Sequence, residues 1–546
     1  MSGPTPAYAP SSPKYEPTPS PSSTYTATDA VCAWCAFLLG YLFCRTVPLA
    51  ESPLGGLLFI WVLLGGVLTL LRLRRCRLNR LSVAALLSAV LLSFSLLLTA
   101  DSSIRSFAYL YALTSALYVL YAANGNARTA RLSDMLAVDY LRILIVFPFS
   151  SLGHIYAAAA SARKKKAGGV MLKVLIGLCL TLIPTLIIAS QLSYDADFSA
   201  LLSRIFSFEP VEIFSHVGSI LLGIPVGMYL YGVYHASVHH RRDALTATAC
   251  RKAATKLRIA PAVTVVTAVL PILFLYVLFF ISQWKYYLSG FTGVLPQGYT
   301  YAEYAREGFF QLCFVCFLNL VILALISLFL RRREQTPPRL LRILSLVLAV
   351  FTLILIATAL SKMALYIRMY GLTPKRVYAT WGMLVLTALF LLIIVKQFVR
   401  RLQIVACSLV TAMVMFSALS LSGIDSLIAS YNVRQYQAGN LVTVDISSFD
   451  RLGEAAVPAV ADLVTYLDEQ NGTKLSEMTT DRLANTVGMY RQAAEFLLEP
   501  QDTGDSLFSL TIPRLRAKAA MERLGVRPMT ESQWEEYQTG KWNFYD

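Results

Sequence analysis

The chain has 546 residues, of which 56% are hydrophobic and only 15% charged, and its mean hydropathy is +0.57, a balance that excludes an ordinary soluble protein. Its net charge of +16 does not imply a nucleic-acid partner, because from Asp425 onward 11 Lys/Arg face 18 Asp/Glu. The one sizeable polar module is therefore acidic, and the basic charge belongs to short loops between apolar runs.

Residues Met1 to Asp29 are rich in Pro, Ser, Thr and Tyr, a composition that predicts a disordered tail, and they lack the basic-then-apolar order of a signal peptide. Eleven apolar runs follow, each close to the ~20 residues that carry an α-helix across ~30 Å of hydrocarbon. They are Ala30–Val47, Leu54–Leu71, Leu81–Ala100, Ile104–Ala123, Val170–Gln191, Val211–Tyr234, Pro261–Trp284, Gly308–Leu330, Leu340–Leu360, Val377–Val395 and Leu402–Leu421. The expected fold is an all-α, polytopic transmembrane bundle over residues 30–422 with a small helical extramembrane domain over 425–546.

Cytoplasmic loops retain Lys and Arg, so the basic stretches Arg72–Arg80, Arg128–Lys166, Arg241–Arg258, Arg331–Arg342 and Lys396–Arg401 place the N-terminus inside. Lys362, Arg368, Lys375 and Arg376 run against that rule, and eleven crossings put the C-terminal domain outside. Leu132–Phe147 is amphipathic, with Asp134, Asp139 and Arg142 on one side; it predicts an interfacial or re-entrant helix on the inner face, ended by Pro148. In the last segment, helical spacing predicts Phe449–Glu469 (kinked or broken at Pro458), Asp481–Glu499, and Pro513–Leu524 with a stop at Gly525.

No Asp or Glu lies near the middle of a run, which argues against ion-coupled carriers and intramembrane proteases. The pairs Cys32/Cys35 and Cys313/Cys316 have C-x-x-C spacing but no further ligands nearby, so they read as packing residues. His235, His239 and His240 adjoin Arg241 and Arg242 and read as an interfacial basic cluster rather than a metal site. The densest polar patch, Tyr301, Glu303, Tyr304, Arg306 and Glu307, follows Thr300 in a capping-box pattern. Glu303 and Glu307 share one helix face at about 6 Å. With Asp195 and Asp197 they form the candidate binding set. The chain carries no nucleotide, nucleophile-elbow or zinc-protease motif; no catalytic residue, metal or cofactor is assigned.

Several elements resemble an uncharacterised bacterial membrane family, domain-of-unknown-function family 4173, closely allied to family 4153. Tyr301–Leu312 is similar to its "YAEYARRGFxEL" signature, Asp195–Phe198 to "SADxxF", Gln283–Gly290 to "QxxYLFGG", Tyr370–Arg376 to "YGLTxxR", and Leu452–Pro458 to "LxxDAVPAL". Glu307 stands where a second Arg is common, and Tyr287, Leu288 and Ser289 depart from the third element. The resemblance implies a membrane protein and supplies no activity, substrate or cofactor.

The resulting expectation is a multi-pass cell-membrane protein, non-enzymatic, recognising a lipid or an extracytoplasmic protein or lipid-linked partner at its outer face, without nucleic acid. The alternatives are a transporter or flippase, with a polar midplane around Asn319, Ser282, Gln283 and Thr358, and a membrane enzyme acting on a lipid-linked substrate.

Overall fold

The computed structural model describes residues 25–46, 52–127, 132–161, 210–239, 252, 255–282, 309–330, 339–399, 401–474, 480–499 and 510–539. Among these the chain is helical, with one isolated bridge, Ala260 to Leu330, and no sheet. The helices are α1 Ala27–Thr46, α2 Pro53–Leu73, α3 Arg80–Ser95, α4 Ser102–Ala123, α5 Leu136–Ser151, α6 His154–Ser161, α7 Pro210–Val238, α8 Ala262–Ser282 and α9 Phe309–Phe329. They continue as α10 Arg339–Tyr370, α11 Pro374–Phe398, α12 Ile404–Leu421, α13 Ile424–Gln437, α14 Val457–Lys474, α15 Thr480–Leu498, α16 Ile512–Leu524 and α17 Glu531–Gln538.

Nine described helices (α1, α2, α4 and α7 to α12) are long and apolar enough to cross a membrane, and the count is ten if the bent pair α5–α6 is taken as one span. Val263, Phe274, Ile281, Phe310 and Phe314 are 64–75% exposed on such helices, a surface that only lipid can cover without cost. The protein is thus a multi-pass integral membrane protein. The run Val170–Gln191 lies outside the described residues. Leu81–Ala100 forms a shorter helix than its hydropathy predicts, because α3 stops at Ser95 and residues 96–98 turn. Its 16 residues rise about 24 Å. The Ser93 and Ser95 hydroxyls bond back to the Val90 and Leu92 carbonyls in its last turns, and the backbone just beyond is drawn to Asp425.

Of the tail that composition predicts, residues 1–24 lie outside the described residues, and the end of it, residues 25–29, is packed instead. Asp29 belongs to the first turn of α1 and is buried, because Thr26 and two residues of α7 bond to it. α1 and α7 approach as closely as backbones allow: a Cβ on Gly40 would lie 2.1 Å from the Gly223 carbonyl oxygen, and one on Gly227 would lie 2.7 Å from that of Ala36. Small residues replace side-chain bulk with backbone contact, the usual way helices associate in lipid. α1 to α7 share one core, which Leu409, Val410 and Phe416 of α12 join. α8 to α11 form a second around Leu348, Ile356 and Phe390.

α5 also departs from expectation. The helix runs through Pro148 to Ser151 by way of a π-helical turn over Arg142–Val146, then bends 59° into α6. Proline cannot donate to the Leu144 carbonyl. Tyr229 of α7 supplies that bond instead, its hydroxyl donating at 3.0 Å. Gly232 lets α7 pass directly over the proline, where a Cβ would meet the Pro148 oxygen at 2.5 Å. The charged face points inward: Asp139 and Arg142 are buried while Leu141, Ile145 and Phe149 are exposed. Asp134 accepts from the Val405 and Ala406 N–H groups at 2.9 and 3.2 Å, capping the start of α12 from another segment.

The C-terminal module surrounds Phe449, Val460, Leu463, Leu467, Phe496 and Met521. Pro458 begins a helix rather than kinking one. Two 3-10 turns, Ile446–Phe449 and Gly453–Ala455, precede α14, and proline is its second residue, where a missing N–H costs nothing. Gly525, at φ 69°, closes α16.

Gly223→Leu forces α1 from α7 and is expected to lower the thermal midpoint of the detergent-solubilised chain by the equivalent of 1–3 kcal/mol or more, as overpacking does. Gly218→Leu on the same helix, with nothing within 4 Å of its added Cβ, is the matched control and should leave the midpoint near wild type.

Candidate functional site

Asp195, Asp197, Tyr301, Glu303, Tyr304, Arg306 and Glu307 lie outside the described residues, as do His240 and Gln283. The described polar residues gather at three levels of the bundle: the end that carries the C-terminal module, the middle, and the opposite end.

At the opposite end, the start of α1, the start of α6 and the end of α7 bring together residues that sequence separates by more than 200 positions. Asp29 accepts from the Thr26 N–H and hydroxyl at 2.9 and 2.7 Å and from the Tyr234 hydroxyl at 2.9 Å. The fourth contact is His239 Nε2, 3.1 Å from the same carboxylate. The His239 and His235 rings lie 4.5 Å apart, His235 stacks on His154 at 4.3 Å, and Tyr25 bonds His154 Nδ1 at 2.8 Å. The histidines therefore form a contiguous row in which His235 is buried against His154 while His239, exposed, meets the buried Asp29 carboxylate at one end. Helical spacing had already put His235 and His239 on one face. Asp29 and His154 carried no such signal, since each contacts the row only through the fold. Among the described residues no group of three or more His, Cys, Asp or Glu has the geometry to hold a metal. What this arrangement can do chemically is store or pass a proton.

A second buried set adjoins it. Arg142 donates to the Tyr121 hydroxyl and to the Asn126 carbonyl, lies 4.0 Å from Asp139, and stacks over Phe147 at 4.7 Å. The Tyr121 hydroxyl in turn donates to Asp139 at 2.7 Å. Asn126 reaches α7 through the Ser237 carbonyl at 2.7 Å. With its fork saturated by ring faces, hydroxyl and carboxylate, this guanidinium is a structural tie.

In the middle, Asn319 accepts from the Tyr276 hydroxyl at 2.7 Å and donates to Thr352 Oγ1 at 3.0 Å, joining α8, α9 and α10. Thr352 and Thr358 close on carbonyls of their own helix, as does Ser282. These polar groups satisfy one another, which is the behaviour of interhelical ties. Cys316 is buried and Cys313 Sγ lies 3.3 Å from Met383 Sδ, so this pair packs.

At the module end, a single carboxylate organises the contact between bundle and domain. Asp425, buried at the start of α13, accepts from the Thr99 hydroxyl at 2.9 Å and the Ala100 and Asp101 N–H groups at 2.8 and 3.2 Å. Arg105 donates to the Thr99 and Ala100 carbonyls of the same turn, both at 3.1 Å. Tyr378 of α11 donates to Asp101 at 2.7 Å, and the Ile512 N–H bonds the Leu97 carbonyl at 2.8 Å. Burial pushes the Asp425 carboxyl above the usual carboxylate range, against the three hydrogen bonds that favour its ionised form.

Tyr370–Arg376, one of the elements carrying the resemblance, forms the adjoining hairpin. Gly371 takes φ +73° at the end of α10, and a Cβ there would lie 2.5 Å from Asn432 Oδ1. Asn432 of α13 clamps the next residue, accepting from the Leu372 N–H at 2.6 Å and donating to its carbonyl at 2.8 Å. Thr373 caps α11, and Arg376 donates to the Tyr370 and Gly371 carbonyls at 2.9 and 2.6 Å with its guanidinium 4.0 Å over the Tyr366 ring. Two of the cations that run against the loop-charge rule thus have structural places: Arg376 satisfies orphan carbonyls of α10, and Lys362 is buried.

Asp425→Ala leaves the Thr99 hydroxyl and the Ala100 and Asp101 N–H groups without their acceptor and is expected to cost roughly 3 kcal/mol at acid pH, where the carboxyl's contribution is complete. Asp425→Asn keeps the shape and removes the buried charge. Because the folded carboxyl binds its proton more tightly than the unfolded one, its contribution is complete below the unfolded value of about 3.9 and lost as pH rises through the folded value. The melting-point advantage of wild type over Asp425→Asn should therefore shrink as pH rises, read by thermal scans from acid to neutral pH.

No curated protein and no solved structure matches the chain. Residues 83–463 match the family described as "Domain of unknown function (DUF4153)", the ally of the family whose elements the sequence resembles. The matched segment runs from α3 into α14 and takes in the Asp425 clamp, the Asn432 hairpin and the histidine row apart from α1's contribution. With well over half its length matched, the chain belongs to the DUF4153 family, as a multi-pass integral membrane protein.

Proposed function

We propose that the protein is a non-enzymatic component of a bacterial cell envelope, in which the acidic C-terminal domain and adjoining loops recognise an extracytoplasmic protein, a lipid or a lipid-linked partner. Asp195, Asp197, Tyr301, Glu303, Tyr304, Arg306 and Glu307 are proposed as part of that face. The observation that carries the reading is the buried clamp of Asp425 and Asn432. A domain tethered to do chemistry in solution needs no such seat, whereas a recognition head must be seated rigidly if an occupant is to bias the spans beneath it. Orientation rests on charge: the exposed arginines Arg72, Arg74, Arg75, Arg77 and Arg80 lie at the end opposite the domain, which the loop-charge rule assigns to the cytoplasm.

The second reading is proton-linked transport, favoured by the row Asp29, His239, His235 and His154. Against it, the described polar residues of the middle level satisfy one another. Acid-driven proton flux in vesicles carrying the full chain, abolished by Asp29→Asn, would move the conclusion to this reading.

Two measurements test the first. A periplasmic-type reporter fused after Asp546 should be active, and activity only of a cytosolic reporter overturns the orientation. A photo-crosslinker at Val442, 81% exposed on the domain, should give a discrete adduct in cells that Asp425→Ala with Asn432→Ala diminishes. Full rescue of a deletion phenotype by that double variant overturns the coupling between domain and spans.

A further inference from the structure

Five arginines occupy nine positions from the last turn of α2 to the first residue of α3: Arg72, Arg74, Arg75, Arg77 and Arg80. All five are exposed, and none makes an ion pair with a carboxylate among the described residues. Like charges so close repel, so a turn of this composition should be loose unless something orders it. It is instead tied at several points. The Arg74, Arg75 and Cys76 N–H groups close on the Leu70, Arg72 and Leu71 carbonyls at 2.9–3.0 Å. Asn79 caps α3 through the Ser82 N–H and donates to the Ala122 carbonyl of α4, both at 2.8 Å, and Cys76 Sγ lies 3.8 Å from Asn124 Oδ1. Arg75 sits at φ 55°, the one non-glycine residue with positive φ among those described. This is the position that ends a helix in the left-handed region, where glycine is the low-cost choice; arginine there accepts strain to place a guanidinium.

Two apolar side chains stand among these cations. Leu73 is 71% exposed and Leu78 40%, and at the end of a membrane-spanning helix such leucines fit the boundary between acyl chains and headgroups rather than water. We propose that the Arg72–Arg80 turn is a built site for the phosphate of an anionic phospholipid, with the guanidiniums engaging the headgroup and Leu73 and Leu78 resting against its glycerol and acyl region. Loop charge alone would serve orientation equally well with lysine. A planar fork held on a rigid turn adds bidentate phosphate recognition that an ammonium cannot reproduce.

The test uses the full chain in detergent, titrated with phosphatidylglycerol, phosphatidylcholine or soluble pyrophosphate, with bound molecules counted by native mass spectrometry. Phosphatidylglycerol should bind and phosphatidylcholine should not. Substituting Arg72, Arg74 and Arg77 together by Gln should weaken phosphatidylglycerol binding by about fivefold per guanidinium removed, and the matching Lys variant, which keeps the charge and guards against misfolding, should fall between the two. Arg339→Gln with Arg342→Gln, at the same end of the bundle, should leave binding unchanged. The proposal is overturned if the Gln variant holds the lipid as wild type does, if Lys serves as well as Arg, if the Arg339/Arg342 control weakens binding equally, or if pyrophosphate alone binds as tightly as the lipid.

Discussion

Inside hydrocarbon no water is at hand to satisfy a polar group, so a buried donor, acceptor or charge in the bundle is stabilised chiefly by a partner within the chain, although the Tyr109, Tyr118 and Tyr231 hydroxyls are buried without one among the described residues. That constraint explains where the polar residues of this protein sit. Tyr229 takes over the carbonyl that Pro148 leaves open, Asn319 is held between Tyr276 and Thr352, and Arg142 is enclosed by Tyr121, Asp139 and two aromatic faces. The same requirement makes Asp425 the point on which bundle and domain meet, since its carboxylate and the turn at residues 99–101 satisfy each other.

Around those ties the packing divides the labour by residue size. Glycines and alanines bring α1 and α7 into backbone contact, a geometry that places Asp29 against Tyr234 and His239. A larger residue at Gly223 or Gly227 would disturb the histidine row without touching it. In the other half, Leu, Ile and Phe side chains space α8 to α11, and the hairpin between α10 and α11 reaches the C-terminal domain through Leu372 and Val377. The two ends of the bundle thereby acquire different chemistry. One is a neutral-to-anionic seat for a domain, the other a row of imidazoles together with an arginine turn that has no carboxylate partner among the described residues.

The hairpin shows how a short element can be recognisable in sequence long before its reason is visible. Tyr370–Arg376 carries a resemblance as a string of letters. In the fold, Gly371 supplies the backbone angle, Thr373 and Pro374 start a helix, Arg376 covers the exposed carbonyls, and Leu372 meets Asn432 sixty residues later. The cations that appeared to violate loop-charge asymmetry are partly absorbed in the same way.

Helix class, membrane insertion and the change of character after Leu421 were set by the sequence alone, because length and hydrophobicity of a run are local properties and hydrocarbon thickness is the only outside quantity they must match. The helix at Pro513 and its stop at Gly525 were legible for the same reason. Asp29 read as tail, Pro148 as a terminator, Asp139 and Arg142 as the polar side of an interfacial helix, and His235 as part of an interfacial basic cluster, and in each case the tertiary structure decided otherwise. The physical reason is common to all four: what a polar residue does in a membrane depends on which partner reaches it across the bundle, and those partners, Tyr234, Tyr229, Tyr121 and His154, stand on other helices at distances along the chain that no periodicity encodes.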